Sequence, residues 1–213
     1  MTDRNKKIFY RNQAEQIIKK LSLRKMEGYY ADDMEEAVQK VLELIGPASK
    51  TVSYGGSMTI DNSDLKDRIV KAGHDLIIRE DYKTDEETKK LKAMMINSDT
   101  FLMSTNAITL DGELINIDGR GNRVSYMIYG PDQVIVIAGM NKVVKDVAAG
   151  LDRTRNMASP ANTVRLNCDT PCAKTGRCAD CLEHTICCQM VITRASMVPG
   201  RIKVILVGEE VGY

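Results

Sequence analysis

The chain has 213 residues, and its 30 lysines and arginines nearly balance 29 aspartates and glutamates, which gives a formal net charge of +1. A chain of this length buries about 70% of its unfolded surface, so a hydrophobic core needs no disulfides. With no Trp, two Phe and almost no net charge, the composition offers nucleic acid no cationic field and few rings for stacking.

The longest apolar runs, such as 134–140, are far shorter than the roughly 20 residues that cross a bilayer. Residues 1–16 contain no apolar signal core. These features predict a cytoplasmic protein of small-molecule metabolism that binds neither nucleic acid nor a membrane.

The first part of the chain has apolar residues at helical spacing. Residues 5–45 predict two helices, the first ended by Gly28 and the second by Gly46–Pro47. We interpret residues 1–48 as an N-terminal helical arm that packs on the following domain or on a second subunit. A homodimer is therefore one arrangement that the arm would allow.

From residue 49 the pattern alternates between short apolar strands and amphipathic helices. Strands are predicted at 50–54, 75–79, 101–104 and 133–138. Helices between them, one of which begins at a capping box over Thr84–Glu87, predict right-handed crossovers. The order predicts an α/β fold with a mainly parallel sheet flanked by helices.

The second half of the chain predicts other elements. Two apolar segments, 113–117 and 123–128, flank a glycine-rich turn and predict a β-hairpin. A helix after Asn141 is expected to end near Pro160, because proline cannot continue it. Strands at 191–193 and 201–207 follow. Since no linker interrupts residues 49–213, we treat them as one α/β domain that includes a cysteine-rich loop, 168–188.

Small and polar residues follow three of the predicted parallel strands. In open parallel sheets, ligands bind outside the carboxyl ends of the strands, so these residues are expected to share one crevice for an anionic metabolite. The predicted ligand-binding residues are Gly55, Gly56, Ser57, Thr59, Asn106, Gly139, Asn141 and Lys142. The alternative is ordinary turn chemistry, with Ser57 as a helix N-cap and the asparagines in turns.

Two further groups of charged residues are candidates for the site. Glu113 lies beside a glycine at the start of the predicted hairpin and is a candidate acid/base or nucleophile, or else a solvated carboxylate. Arg153, Arg155 and Arg165 are candidates for clamping an anion, although cations at a helix end also complement the helix dipole.

All six cysteines lie between Cys168 and Cys188. A disulfide scaffold would distribute them along the chain, whereas thiolates in one short loop can enclose a single metal centre. The predicted ligands are Cys172, Cys178, Cys181 and Cys187, with Cys168, His184 and Cys188 as further candidates. Soft sulfur ligands select zinc or an iron–sulfur cluster, and the spacing does not decide between them. A metal-free thiol loop is the alternative.

Several motifs in this order resemble the LUD (lactate-utilisation) domain family. They are Tyr54–Ser57, Thr105–Thr109, Asp111–Leu114, Gly121–Val124, Gly139–Lys142 and Ala158–Ala161. The stretch Thr170–Cys181 is similar to the cysteine-bearing branch of that family. The resemblance implies a sugar-isomerase/CoA-transferase-like fold and a link to the oxidation of lactate or a similar acid, with iron–sulfur partner proteins. It implies no catalytic residue.

Three functions are open at this point. The first is a part in organic-acid redox metabolism, with an iron–sulfur or zinc centre on the cysteine-rich loop. The second is an isomerase or acyl/CoA transferase that acts on a phosphorylated or thioester ligand, with a structural zinc and Glu113 in the reaction. The third is a regulatory subunit that binds a metabolite without turning it over.

Overall fold

The computed structural model describes residues 4–213. The helices are α1 (Arg4–Leu23), α2 (Met34–Ile45), α3 (Met58–Asp61), α4 (Leu65–Lys71), α5 (Asp85–Ile96), α6 (Asn122–Ile128), α7 (Val147–Arg153), α8 (Ser159–Arg165) and α9 (Pro171–Thr175). The strands are β1 (Glu27–Ala31), β2 (Thr51–Tyr54), β3 (Asp75–Leu76), β4 (Thr100–Met103), β5 (Ala107–Thr109), β6 (Leu114–Asp118), β7 (Gln133–Gly139), β8 (Val143–Val144), β9 (Gln189–Thr193) and β10 (Ile202–Val207).

Six strands form a parallel sheet in the order β1-β10-β7-β4-β2-β3. The central strand β7 is buried from Val134 to Gly139 on both faces, which is why its sequence is an unbroken apolar run. The predicted α/β fold with a mainly parallel sheet is confirmed. Within residues 4–213, no helix is long and apolar enough to cross a membrane.

Helices cover both faces of this sheet. On one face α2, α3 and α4 bury Val41, Ile60 and Ile69 against the strands. On the other face α1 buries Ile17 and α5 buries Met95 in a second apolar cluster. A four-stranded sheet, in the order β8-β5-β6-β9, contributes to that second cluster through β5 and β6.

The N-terminal segment contains a strand that the sequence analysis missed. Gly28 was expected to end the first helix, but α1 ends at Leu23 and Gly28 lies in β1, which pairs with β10 at the sheet edge. A Cβ atom at Gly28 would lie 2.9 Å from side-chain carbons of Ile18 and Leu21. Glycine is therefore needed at this position because α1 packs directly on the strand.

The predicted β-hairpin is wrong in its second strand. Residues expected to be extended form α6, because the Asp118 carboxylate accepts hydrogen bonds from the N–H groups of Arg123 (3.0 Å) and Val124 (3.2 Å). The hairpin instead joins β5 to β6 through a turn at Gly112, whose φ is 87°.

The helix expected after Asn141 also differs. A short strand, β8, comes first, and α7 then continues through a π-helical turn, Thr154–Ala158, into α8. Pro160 does not end the helix; it follows directly on the π-helical turn, whose wider hydrogen-bonding pattern runs from the Ser159 N–H to the Thr154 carbonyl. The helical segment therefore reaches Arg165, at the rim of the cavity described next.

Candidate anion-binding site and cysteine loop

A cavity of about 360 Å³ opens at the carboxyl ends of β2 and β4. In the sheet, β3 lies on one side of β2 and β4 lies on the other side. The direction in which successive strands are added therefore reverses between β2 and β4. Ligands of open parallel sheets bind at such a switch point. Residues 56–59 after β2 and 104–106 after β4 form two of its walls.

The cavity lining is strongly cationic. The five basic side chains in it are Arg79, Arg120, Arg123, Lys142 and Arg165. Asp118 is the one side-chain carboxylate in the lining, and it is already paired with Arg123 at 2.8 Å. Across residues 4–213, neither Arg120 nor Arg165 forms an ion pair with a carboxylate. The cavity therefore favours an anionic ligand whose oxygen atoms can accept hydrogen bonds from guanidinium groups.

Lys142 is the most unusual of these cations. Its side chain is 2% exposed, and Nζ donates hydrogen bonds to the hydroxyls of Thr59 (3.0 Å) and Ser104 (2.8 Å). No carboxylate in the described part of the chain neutralises it. Burial, followed by the charges of Arg153 and Arg123, lowers the pKa of Lys142 to about 7. A lysine so perturbed in a cavity is a marker of a functional site.

Arg123 holds the cavity walls together. Its guanidinium donates to the Ser104 carbonyl (2.9 Å), to the Asn116 side-chain oxygen (2.7 Å) and to the Asn106 side-chain oxygen (3.0 Å). Its Nε donates to Asp118 at 2.9 Å. Because its donors are committed to these groups, Arg123 positions the strand ends and contributes charge rather than an open donor fork.

The structure brings five of the eight predicted ligand-binding residues to the cavity. They are Gly56, Ser57, Thr59, Asn106 and Lys142. Ser57 occupies the N-cap position of α3, yet its hydroxyl forms no capping hydrogen bond. Ser57 therefore occupies the cap position without capping the helix through its side chain, and it lines the cavity.

The other three predicted ligand-binding residues lie outside the lining. Gly55 packs against Arg123, since a Cβ atom there would lie 2.9 Å from the arginine Cγ. Asn141 holds the last residues of the chain, accepting from the Val211 N–H (3.3 Å) and donating to the Gly212 carbonyl (3.2 Å). Gly139 leaves room for the Asn141 side chain.

Glu113 lies in the turn between β5 and β6, not in the cavity lining. Its carboxylate accepts hydrogen bonds from Arg24 (2.5 Å) and from the Thr109 hydroxyl. Arg24 also donates to the Asp111 carbonyl (2.6 Å). These bonds tie the end of α1 to the β5–β6 turn, so the contacts of Glu113 are those of a structural residue.

The sequence analysis did not predict three of the arginines that line the cavity. They are Arg79, Arg120 and Arg123. Arg79 follows β3, and its Nη1 atom lies against Gly56, where a Cβ atom would be 3.5 Å away. Arg120 lies in the glycine-rich turn after β6. The signal that could have found Arg120 is that turn itself, because exposed glycines beside a basic residue are typical of anion-binding loops.

Cysteine chemistry is concentrated next to this cavity. Cys172 is buried in α9, with the hydroxyls of Thr170 (3.3 Å) and Thr163 (3.5 Å) against its Sγ atom. The Cys178 sulfur accepts a hydrogen bond from the Asp180 N–H at 3.5 Å. Burial raises the pKa of Cys187, and charges on Cys172, Cys178 and Cys181 raise it further. The four predicted metal ligands thus lie close enough to interact electrostatically.

The four cysteines are suitable ligands for a soft metal, but their side chains are not arranged around a common metal position. Across residues 4–213, no three Cys, His, Asp or Glu side chains are arranged to hold a metal ion. Of the further candidates, Cys168 is half-buried and Cys188 and His184 are exposed. His184 has Glu183 as its neighbour, at 3.7 Å. The four-cysteine centre therefore stays a prediction, with zinc and iron–sulfur both open.

The cysteine loop forms one wall of the cavity. Ile186 from the loop lines it beside Ser159 from α8, and burial raises the pKa of the Cys187 thiol by more than Ser159 lowers it. The Cys188 N–H donates to the Asp118 carbonyl at 2.9 Å. A ligand in the cavity would therefore lie next to the segment that carries the thiols.

Comparisons with known proteins agree with this architecture. The model of the LUD domain family matches residues 14–207. Among solved structures, a DUF162 family protein from Deinococcus radiodurans superposes with a TM-score of 0.52 at 17% identity, over 94% of this chain and 98% of that one. An identity this low supports the fold alone. No curated protein matches the chain.

Proposed function

The chain belongs to the LUD domain family, and from that premise we propose that it binds a small organic anion in the cavity and takes part in the redox metabolism of organic acids such as lactate. The observation that carries the proposal is the lining of five basic side chains around one already paired side-chain carboxylate. The position of the cavity at the switch point of the sheet is independent support for ligand binding there.

The geometry suggests how such an anion is held. Arg120 and Arg165 are exposed at the cavity surface, and guanidinium groups suit a carboxylate. Asn162 orients Arg165, because its side-chain oxygen accepts from Nε (3.0 Å) and Nη2 (2.9 Å), so an anion would bind the remaining N–H groups of Arg165. Lys142 and its two hydroxyl partners supply donors deeper in the cavity. A small acid with a second oxygen function, such as a 2-hydroxy or 2-oxo acid, would therefore meet an arginine at one end and Lys142 at the other.

The cysteine loop supplies the redox part of the proposal. Cys172, Cys178, Cys181 and Cys187 are the residues that would hold an iron–sulfur cluster or zinc. A bound cluster would supply one-electron transfer, and electrons would pass to iron–sulfur partner proteins, whereas zinc would fix the loop. The position of the loop supports this arrangement, because Ile186 lines the cavity and the Cys188 N–H donates to the carbonyl of Asp118, another lining residue.

The transferase alternative receives less support. A reaction through Glu113 would require that carboxylate in the cavity, but it is bonded to Arg24 and Thr109 in the β5–β6 turn. A regulatory subunit would use the same cavity without turnover.

Anion binding is tested by thermal unfolding of the purified chain with L-lactate, pyruvate and inorganic phosphate. We expect at least one organic acid to raise the Tm of the wild type, since binding to the folded state alone stabilises it. Arg165→Gln should reduce that rise. Arg194→Gln removes an equally exposed arginine outside the cavity lining and should not. An unchanged Tm with all three anions would reject the proposed function.

A further inference from the structure

Lys142 carries a feature that anion binding alone does not require. Its amine is buried at the cavity wall, and its two hydrogen-bond partners are neutral hydroxyls. An anion-binding lysine is more useful when it is permanently charged and exposed. A buried amine beside uncharged partners instead has the environment of an activated nucleophile.

Two neighbouring arginines disfavour the ammonium form. Arg153 from α7 and Arg123 from α6 both act on Lys142 by repulsion, in addition to its desolvation. Arg153 is fixed in place by the carbonyls of Asn141 (3.1 Å) and Asn106 (2.5 Å). Asp118 is the side-chain carboxylate in the cavity lining, and its charge is paired with Arg123. The neutral amine is therefore well populated near neutral pH.

We propose that Lys142 forms an imine with the carbonyl carbon of a 2-oxo carboxylate bound in the cavity. This inference rests on the proposed function and names its substrate class. The carboxylate of the 2-oxo acid would be held by Arg165 or Arg120 at the surface, and its adjacent carbonyl would face Lys142. A 2-oxo acid is also the oxidised counterpart of a 2-hydroxy acid, so one cavity would serve both.

The step balances without an oxidant or a reductant. The amine lone pair forms the C–N bond while the carbonyl π electrons pass to oxygen. Nitrogen gives one of its protons to that oxygen, and the resulting carbinolamine loses the hydroxyl as water with a second proton from solvent. The C=N bond forms with the other amine proton kept on nitrogen, as a protonated imine. The Thr59 and Ser104 hydroxyls, at 3.0 and 2.8 Å from Nζ, are placed to relay these protons.

Borohydride trapping tests the proposal on the purified full chain. Pyruvate followed by sodium borohydride should leave a reduced adduct on Lys142, located by peptide mass spectrometry. Lactate has the same carboxylate but no carbonyl, so it should leave none. Lys142→Met should lose the adduct, whereas Lys145→Met, which removes an exposed lysine three residues away, should retain it. The yield should rise with pH through about 7, as the amine loses its proton.

The outcomes separate this inference from the function on which it rests. If pyruvate raises the Tm but Lys142 is unmodified, or if the label is spread over exposed lysines, the imine is rejected and anion binding stands. If pyruvate, lactate and phosphate all leave the Tm unchanged and no adduct forms, both the imine and the anion-binding function are rejected. Mapping the adduct in the wild type keeps the test decisive even where Lys142→Met is poorly folded.

Discussion

The cavity walls and the cysteine loop are neighbours that are held together in different ways. The walls are strand ends fixed by buried hydrogen bonds, with the Arg123 side chain donating to five acceptors. Between α9 and β9 the loop contains neither helix nor strand, and Cys172 is the one cysteine that is fully buried. Hydrogen bonds within the chain therefore fix the strand-end walls of the cavity, whereas we propose that the loop is ordered by what its thiols bind.

Substitution of the thiols gives the largest expected difference between the two regions. Cys178→Ser with Cys181→Ser should abolish bound iron and zinc, because two of four soft ligands are lost. Elemental analysis of anaerobically purified protein measures this. Cys188→Ser, at an exposed cysteine, is the control and should retain metal.

The same double variant should still show the Tm rise with pyruvate if the cavity is independent of the loop. Loss of both properties would show that the two regions form one unit.

The pH dependence of stability isolates Lys142. Its pKa is about 7 in the folded state against 10.5 unfolded, so the unfolded chain binds more protons between these values. Stability should therefore rise with pH from 7 to 10.5, by an amount on the order of 5 kcal/mol for this group. Urea unfolding of Lys142→Met should lack this slope, and Lys145→Met should keep it. Equal slopes in all three proteins would contradict the burial of the amine.

Removal of Arg123 tests how the cavity walls are fixed. Arg123→Met should cost about 3 kcal/mol, the low end for breaking a buried ion pair, because it leaves the Asp118 carboxylate without its partner. The free energy of unfolding in urea measures the loss. Adding Asp118→Asn to Arg123→Met should recover part of the lost free energy of unfolding. If nothing is recovered, the unpaired Asp118 carboxylate is not the cause of the loss.

The corresponding ion pair in the loop should matter least. Arg155 pairs with Asp180, whose side chain is 85% exposed. Arg155→Gln should change the free energy of unfolding by less than about 1 kcal/mol, as is usual for exposed pairs. A loss as large as that of Arg123→Met would contradict the contrast between cavity and loop.

Much of the fold follows from local sequence patterns. Continuous apolar runs identified the central strand β7, and the capping box at Thr84 and Glu87 marked the start of α5. The rule for parallel sheets placed Lys142 and Ser57 at the crevice. These features were predictable because they depend on neighbours in sequence or on strand order alone.

The wrong predictions concern residues whose conformation or position depends on contacts with residues distant in sequence. Residues 123–128 have the composition of a strand but form α6, because Asp118 caps the helix. The edge strand β1 was missed because Gly28 is required by the packing of α1. Arg79 has no local signal, since only the tertiary fold brings it to the cavity. Cysteine spacing, likewise, does not determine how the thiols close around a metal.

The central claim is that a small organic acid binds between Arg165 and Lys142. A crystal structure of the chain grown with saturating pyruvate tests it most directly. The account predicts density in the cavity, with the carboxylate at an arginine and the second carbon within bonding distance of Lys142. Pyruvate bound elsewhere, or an empty cavity at a concentration that raises the Tm, would contradict it.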